Sequence, residues 1–271
     1  MPELPEVETV RKQLKLRLVG RKIKKVTIRY DGIIEYPSII EFKKRITNQE
    51  FIDIKRRGKW LLFELNDYYL LSHLRMEGKY NFHNKDDIIS SHEHVLFLLD
   101  DNNELRYHDT RKFGKMHLIE KSRIDEIGPL TKLGLEPWDD NLDIFYLKQK
   151  YCKKRLAIKT VLLDQSIIVG IGNIYADEIL FLSRINPYKK ANELNDKEIN
   201  DIIENSRIIL DKAIELGGTT IHSYASVDGV DGKFQNELLV HGKKICPFCY
   251  NKITKDFIGG RGTYYCDKCQ K

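Results

Sequence analysis

The sequence predicts an α+β chain of more than one domain: an N-terminal helix leading into a β-sandwich, then a helical region closed by a small cysteine-bearing hairpin. Three observations predict it. Between residues 23 and 119, apolar side chains recur in short alternating runs with turn residues between them. From about 143 to 216 their spacing changes to threes and fours. Four of the five cysteines then crowd between 246 and 269.

Residues 5–19 read as a helix because Val7, Val10, Leu14 and Leu18 fall three or four apart, and Gly20 stops it. KIKKVTIRY alternates at Ile23, Val26, Ile28 and Tyr30. WLLFEL and YYLLSHL flank the turn Asn66-Asp67, and HVLFLL and ELRYHD flank the polar turn at 100–103. One short helix, about 38–46, interrupts these strands, and many short strands joined by turns predict a sandwich over 2–122. The Gly- and Pro-rich IGPLTKLGLEPW carries a linker, placed at 123–135. DIFYLKQKY, LAIKTVLLD, IYADEILFLSRI and EINDIIENSRIILDKAIEL are helical in spacing and belong to a domain over 136–225. The polar, glycine-rich 217–235 is too long for a casual connection, and loops of that length are usually functional or mobile. The hairpin occupies 237–271.

Length, 271 residues, allows two domains or so. No apolar run approaches the ~18 residues of a spanning helix, and the start lacks the basic-then-apolar layout of a secretory signal, so the expected setting is the cytoplasm, with no membrane partner. Net charge is +6, and its placement matters more than its size. Nine lysines and arginines and no acid lie between Arg11 and Arg29, and seven basic residues face two acids between Lys243 and Lys271. Basic blocks of this kind suit a polyanion.

Cys246 and Cys249 form one Cys-x-x-Cys pair, and Cys266 and Cys269 form a second. Two such pairs at this separation match a four-cysteine zinc site. Four thiolates leave no open coordination position, so one structural zinc ion is expected, replacing a core that so short a segment cannot build. A thioredoxin-like redox role lacks its surrounding βαβ pattern. Between the pairs, GGRGTYYC presents Arg261 among glycines, where backbone approaches a ligand closely and a guanidinium can grip a phosphate. Cys152, in KYCKKR, reads as a lone reduced thiol.

The chain opens MPELPEVE. Within a chain a proline nitrogen is an inert amide. With Met1 removed, Pro2 exposes a secondary amine, and an α-amino group titrates at roughly 7.7–8.0, leaving a nucleophilic fraction near neutral pH. The plain alternative is a proline in the first turn of a helix. Glu3, Glu6 and Glu8 follow at once.

MPELPEVE, HLRMEG (73–78), DTRKFG (109–114), GIGNIYADEIL (170–180) and the cysteine hairpin together resemble the bacterial formamidopyrimidine-DNA glycosylases, from end to end and in the family's order. The resemblance implies a base-excision repair enzyme that removes 8-oxoguanine and ring-opened purines from double-stranded DNA. It also implies cleavage of abasic sites, by β,δ-elimination. It makes Pro2 the nucleophile and Glu3 the acid/base group, with Glu6 in support. Lys59 becomes the proton donor of β-elimination, and Arg261 takes the corresponding place in δ-elimination. Met76, Arg111 and Phe113 would fill the gap left by an everted nucleotide. His73, His92, Lys154 and Asn173 would contact DNA, and the helices of the second domain would form a helix–two-turn–helix. Glu8 reads as a solvent-exposed helix charge. Typical members carry an acid near Ser223 in the lesion-capping loop, which this chain lacks, and Arg75 stands where a glycine is common. One copy of the chain suffices. Two other readings stand beside this one: an endonuclease VIII-type enzyme for oxidised pyrimidines, whose opening usually reads PEGPE, and a non-catalytic zinc-ribbon DNA-binding protein, which leaves Pro2 and Glu3 unexplained.

Overall fold

The computed structural model describes residues 1–219 and 232–271. They divide into two compact units, 1–131 with Thr219 and Gly232, and 132–218 with 233–271. The expectation for Ser223 lies outside the described residues.

The first unit opens with α1 (Leu4–Leu18), which buries Leu4, Val7, Val10, Leu14 and Leu18 along one stripe. Glu3 caps it reciprocally with Glu6, the capping box that satisfies two otherwise orphaned N–H groups. Two sheets follow. One is antiparallel, in the order β1 (Ile23–Ile28), β7 (Glu93–Leu99), β8 (Asn103–His108), β6 (Lys79–Asn84). The other runs β2 (Ile34–Tyr36), β9 (Lys115–Glu120), β5 (Tyr68–His73), β4 (Trp60–Glu64), β3 (Asp53–Arg57), antiparallel except for β2 against β9. Val26, Phe97 and Leu105 from the first sheet share a core with Ile54, Phe63, Leu70 and Leu118 from the second. The β-sandwich is therefore real, and α2 (Ile39–Ile46) lies where the short helix was expected. Strands β3, β6 and β9 carry no run that the sequence singled out. In β3, DIKRR, Ile54 is the one fully buried position, as suits a charged edge strand.

The second unit contains α3 (Ile144–Tyr151), α4 (Ile158–Leu162), α5 (Asn173–Leu182) and α6 (Asp196–Glu215). Helix α5 is buried from Tyr175 to Phe181, so it is the unit's central element, whereas α6 shows one apolar stripe and a capping box of Asn195 with Glu198. Part of the segment read as a linker is fastened here: the Leu135 N–H donates to Ile167 O (3.0 Å), and a Cβ on Gly134 would sit 2.2 Å from that same carbonyl. Strands β10 (Thr254–Ile258) and β11 (Arg261–Tyr265) form the terminal hairpin, packed through Phe181, Val240, Cys246, Ile253 and Cys266. No helix among the described residues is long and apolar enough to cross a membrane.

Candidate active site and nucleic-acid interface

Pro2 is buried, directly ahead of the N-cap Glu3, and Glu3 and Glu6 are each only 2% exposed. Glu6 divides its carboxylate. Its Oε2 accepts the Glu3 N–H (2.8 Å), and its Oε1 accepts the N–H (2.7 Å) and hydroxyl (3.1 Å) of Thr219, the last described residue before 232. The chain's first residues and Thr219 are thus tied by one carboxylate.

Glu8 differs from its expectation as an exposed charge. Its side chain is 14% exposed and accepts from Arg11 and from Arg56 Nε (3.1 Å). Burial alone would raise this carboxyl, but the hydrogen bonds and charges of Arg11 and Arg56 outweigh it and hold it below the usual value. Arg56 continues the link, donating to Gly58 O at 3.0 Å. Gly58 (φ 55°) and Lys59 form the two-residue turn between β3 and β4, where a positive φ suits glycine. Lys59 is only 5% exposed, rather than on the open surface where a lysine usually lies.

Met76, Arg111 and Phe113 lie on two connections of the same unit, β5–β6 and β8–β9. Phe113 is 48% exposed, and the Arg111 guanidinium lies 4.7 Å from its ring centroid. Each connection contains a non-glycine residue in the left-handed region, Arg75 (φ 55°) and Lys112 (φ 58°). A glycine at position 75 would adopt this backbone without strain. The Arg75 N–H is held by His73 Nδ1 (3.0 Å). His73 is buried against Trp60, and its pKa falls to about 3 through desolvation, then through the charges of Arg75 and Lys59. With Nδ1 accepting, the proton of the neutral ring sits on Nε2, so His73 offers a neutral donor rather than a cation. His92 is exposed, its carbonyl accepting from the Asp109 N–H (2.9 Å).

In the second unit, the four cysteine sulfurs lie within 4.8 Å of one another. Cys246 and Cys269 are 3.8 Å apart, and Cys249 and Cys266 3.5 Å. Disulfides require about 2.0 Å, whereas a tetrahedron of zinc–sulfur bonds of about 2.3 Å has edges of about 3.8 Å. The set fits a tetrahedral metal ion. Arg261 is exposed and begins β11 just after Gly259 (φ 57°) and Gly260 (φ 75°), which turn the hairpin. Asn173, the first residue of α5, donates from Nδ2 to Gly262 O (2.9 Å), and its Oδ1 is buried with no partner among the described residues. Lys154 is paired with Asp164 (3.0 Å).

Sequence reasoning missed the residues that hold these groups. Asp109 is fully buried and accepts the N–H groups of Arg111 (3.0 Å) and Gly114 (2.8 Å). Its signal was present, since an aspartate opening DTRKFG is the residue type that caps a turn with its own side chain. Lys159 and Asp177, both fully buried, form an ion pair. The same Asp177 takes His241 Nδ1 at 2.6 Å, while Glu178 accepts three consecutive backbone N–H groups, from Leu239 to His241. These partners are 18 to 64 residues apart, and no local pattern announces them.

The sequence model of the formamidopyrimidine-DNA glycosylase N-terminal domain matches residues 1–116, and that of the family's H2TH domain matches 133–225. Formamidopyrimidine-DNA glycosylase of Bacillus subtilis is 46% identical over the whole chain and 99% of its own length. The protein of the same name from Halalkalibacterium halodurans is 44% identical, with both chains fully covered. Among solved structures, a Lactococcus lactis FPG mutant in complex with Fapy-dG-containing DNA superimposes with a TM-score of 0.94 at 40% identity, covering both chains completely. The Lactococcus lactis Fpg complex with abasic-site DNA gives 0.93 at 39%, covering 99% of each. The chain therefore belongs to the formamidopyrimidine-DNA glycosylase family.

Proposed function

We propose that this base-excision glycosylase and abasic-site lyase works through the amine of Pro2, on oxidised purines in duplex DNA. The observation that carries the reading is the burial of Pro2 beside two carboxylates, Glu3 and Glu6, that are almost wholly withdrawn from solvent. Met1, by contrast, is 43% exposed, and its excision frees the imino group. The Pro2 nitrogen then forms a bond to C1′ as the bond from C1′ to the damaged base breaks, and the base leaves with a proton. Opening of the sugar leaves an iminium, whose permanent charge acidifies the C2′ hydrogen. Loss of that proton expels the 3′ phosphate, and a second elimination expels the 5′ phosphate.

Glu3 exchanges protons at the sugar, and Glu6 holds the Glu3 backbone in place. Lys59 gives its proton in the first elimination. Arg261 grips a phosphate instead of giving up a proton, because a guanidinium stays charged at any working pH. Met76, Arg111 and Phe113 occupy the vacated stack, which costs a few kcal/mol to open. His73 donates from Nε2, and His92, Lys154 and Asn173 complete the backbone contacts. Zinc fills the four-sulfur site and orders the hairpin that presents Arg261; it takes no part in bond making. One chain supplies every group, so a monomer acting in the cytoplasm on the nucleoid is sufficient.

The test is borohydride trapping on an 8-oxoguanine duplex, with protein whose N-terminus is shown to begin at Pro2. A covalent adduct located at residue 2, and formed much more slowly in Pro2→Gly, is expected. Absence of an adduct from the unmodified protein refutes the nucleophile, and faster trapping on 5-hydroxycytosine would refute the purine assignment.

A further inference from the structure

The two connections assigned above to the wedge, 74–78 with Met76 and 109–114 with Arg111 and Phe113, rest on one hydroxyl. Tyr107 is fully buried in β8, its ring against Tyr80 at 5.2 Å. A Cβ built on Gly78 would lie 2.2 Å from the Tyr107 oxygen, and one on Gly114 only 1.7 Å from it. Each loop therefore ends on a glycine because the tyrosine tip occupies the space a side chain would need. The first loop is closed by the Gly78 N–H donating to Leu74 O (2.9 Å). The second is closed by Asp109, whose Oδ2 accepts the Gly114 N–H and faces the Tyr107 hydroxyl at 3.4 Å. From below, the Asp109 carbonyl also accepts His94 Nε2 (2.8 Å). Above, the loops are joined directly, the Thr110 hydroxyl donating to the Glu77 carboxylate.

We infer that Tyr107 is a positioning residue for base eversion: its hydroxyl, with Asp109 and the Thr110–Glu77 bridge, makes the two wedge loops one body, so that Met76 enters the duplex together with Arg111 and Phe113. A wedge delivered in two independent pieces would lose in each the entropy of ordering it at the moment of insertion. The inference rests on the wedge role proposed for those three side chains.

The experiment compares single-turnover excision of 8-oxoguanine from a duplex with scission of a preformed abasic site in a single strand, where no stack has to be opened. Tyr107→Phe is expected to slow duplex excision about tenfold, the equivalent of about 1.4 kcal/mol, and to leave single-strand scission unchanged. Thr110→Ala, a surface change that cannot disturb the core, repeats the pattern with a smaller loss. In a background with Met76, Arg111 and Phe113 all replaced by alanine, Tyr107→Phe adds no further loss on the duplex. Equal losses on both substrates, or full duplex activity in Tyr107→Phe, overturn the inference. If the triple alanine variant itself excises at the full rate, the wedge assignment fails and the inference with it; if only the triple variant is slow, the wedge stands and Tyr107 does not position it.

Discussion

Glu8→Gln should destabilise the first unit by about 2 kcal/mol at neutral pH. Glu8 Oε1 accepts from Arg11 Nε (2.9 Å) and Nη2 (2.8 Å), while Oε2 accepts from Arg56 Nε (3.1 Å). A glutamine can keep its oxygen toward Arg11, but it then turns an N–H toward Arg56, donor against donor. Breaking one side of a fully buried pair costs about 3–5 kcal/mol. The side chains of Glu8, Arg11 and Arg56 keep 14%, 19% and 11% of their exposure, so water relieves part of that cost, and about 2 kcal/mol is left. The assay is urea unfolding followed by Trp60 in a Trp138→Phe background, because a two-unit chain need not unfold in one step. The pH dependence provides an internal control. The folded Glu8 titrates below its ordinary 4.5. Its stabilisation is therefore complete above the unfolded value and is lost as pH falls through the folded one. The gap between wild type and Glu8→Gln should be widest near neutrality and close on acidification below 4.5. A gap under about 0.5 kcal/mol at pH 7, the scatter of ordinary surface changes, would refute the argument. So would a gap that stays constant into acid.

Three further outcomes are expected. The ring of His73 should not titrate between pH 5 and 8 in a histidine-selective NMR experiment, since burial and the charges of Arg75 and Lys59 carry its pKa down to about 3. Because the unfolded chain takes up that proton near 6.5 and the folded ring does not, the unit should lose stability as pH drops from 6.5; a midpoint near 6 would contradict this. Lys159→Met leaves the fully buried Asp177 without its lysine and should cost the second unit about 3–5 kcal/mol in urea, and a loss below about 1 kcal/mol would show that its two other donors, His241 and the Tyr264 N–H (3.3 Å), suffice. On the roles proposed for zinc and Arg261, stripping metal with a chelator should release one equivalent of zinc and weaken duplex binding with a shallower salt dependence, because Arg261 would no longer be presented; unchanged affinity in the metal-free chain would refute that role for the hairpin.

What could be read from the sequence was what is coded locally. The Cys-x-x-Cys pairs, the stripe of Val7, Val10, Leu14 and Leu18, and the strand pairs around short turns all lie within a few residues, and each reappears in the structure. Glu8 was misread because helix periodicity places it beside that stripe, while Arg56 comes from a strand 48 residues away. Lys59 has the composition of a surface turn, but the turn folds inward with Arg56 fastened across it. Strands such as DIKRR gave no alternating signal because their outward positions are all charged. Asp109 was in view within its motif, yet its work consists of backbone hydrogen bonds that only the folded loop creates.

The three glutamates of MPELPEVE now have three distinct physical roles. A nucleophilic amine at a chain end must be held still, since termini are otherwise the most mobile part of a domain. It must also stay unprotonated, which neighbouring carboxylates oppose by favouring the ammonium. The capping box immobilises Glu3 and Glu6 against the first turn of α1, and Glu6 spends both oxygens on N–H and O–H donors of Glu3 and Thr219. Glu8 is outweighed by two guanidiniums, so the Glu8–Arg11–Arg56 group is net positive. The positive end of α1 adds to that field. On the reading proposed above, the carboxylates anchor the terminus mechanically, while the positive end of α1 and the charges of Arg11 and Arg56 would favour the neutral form of a freed Pro2 amine. Removing Arg56 should therefore act on the amine as well as on the fold: with its charge gone, the pH at which half the protein can be trapped by borohydride shifts upward, and an unshifted trapping profile would refute any influence of Arg56 on the amine.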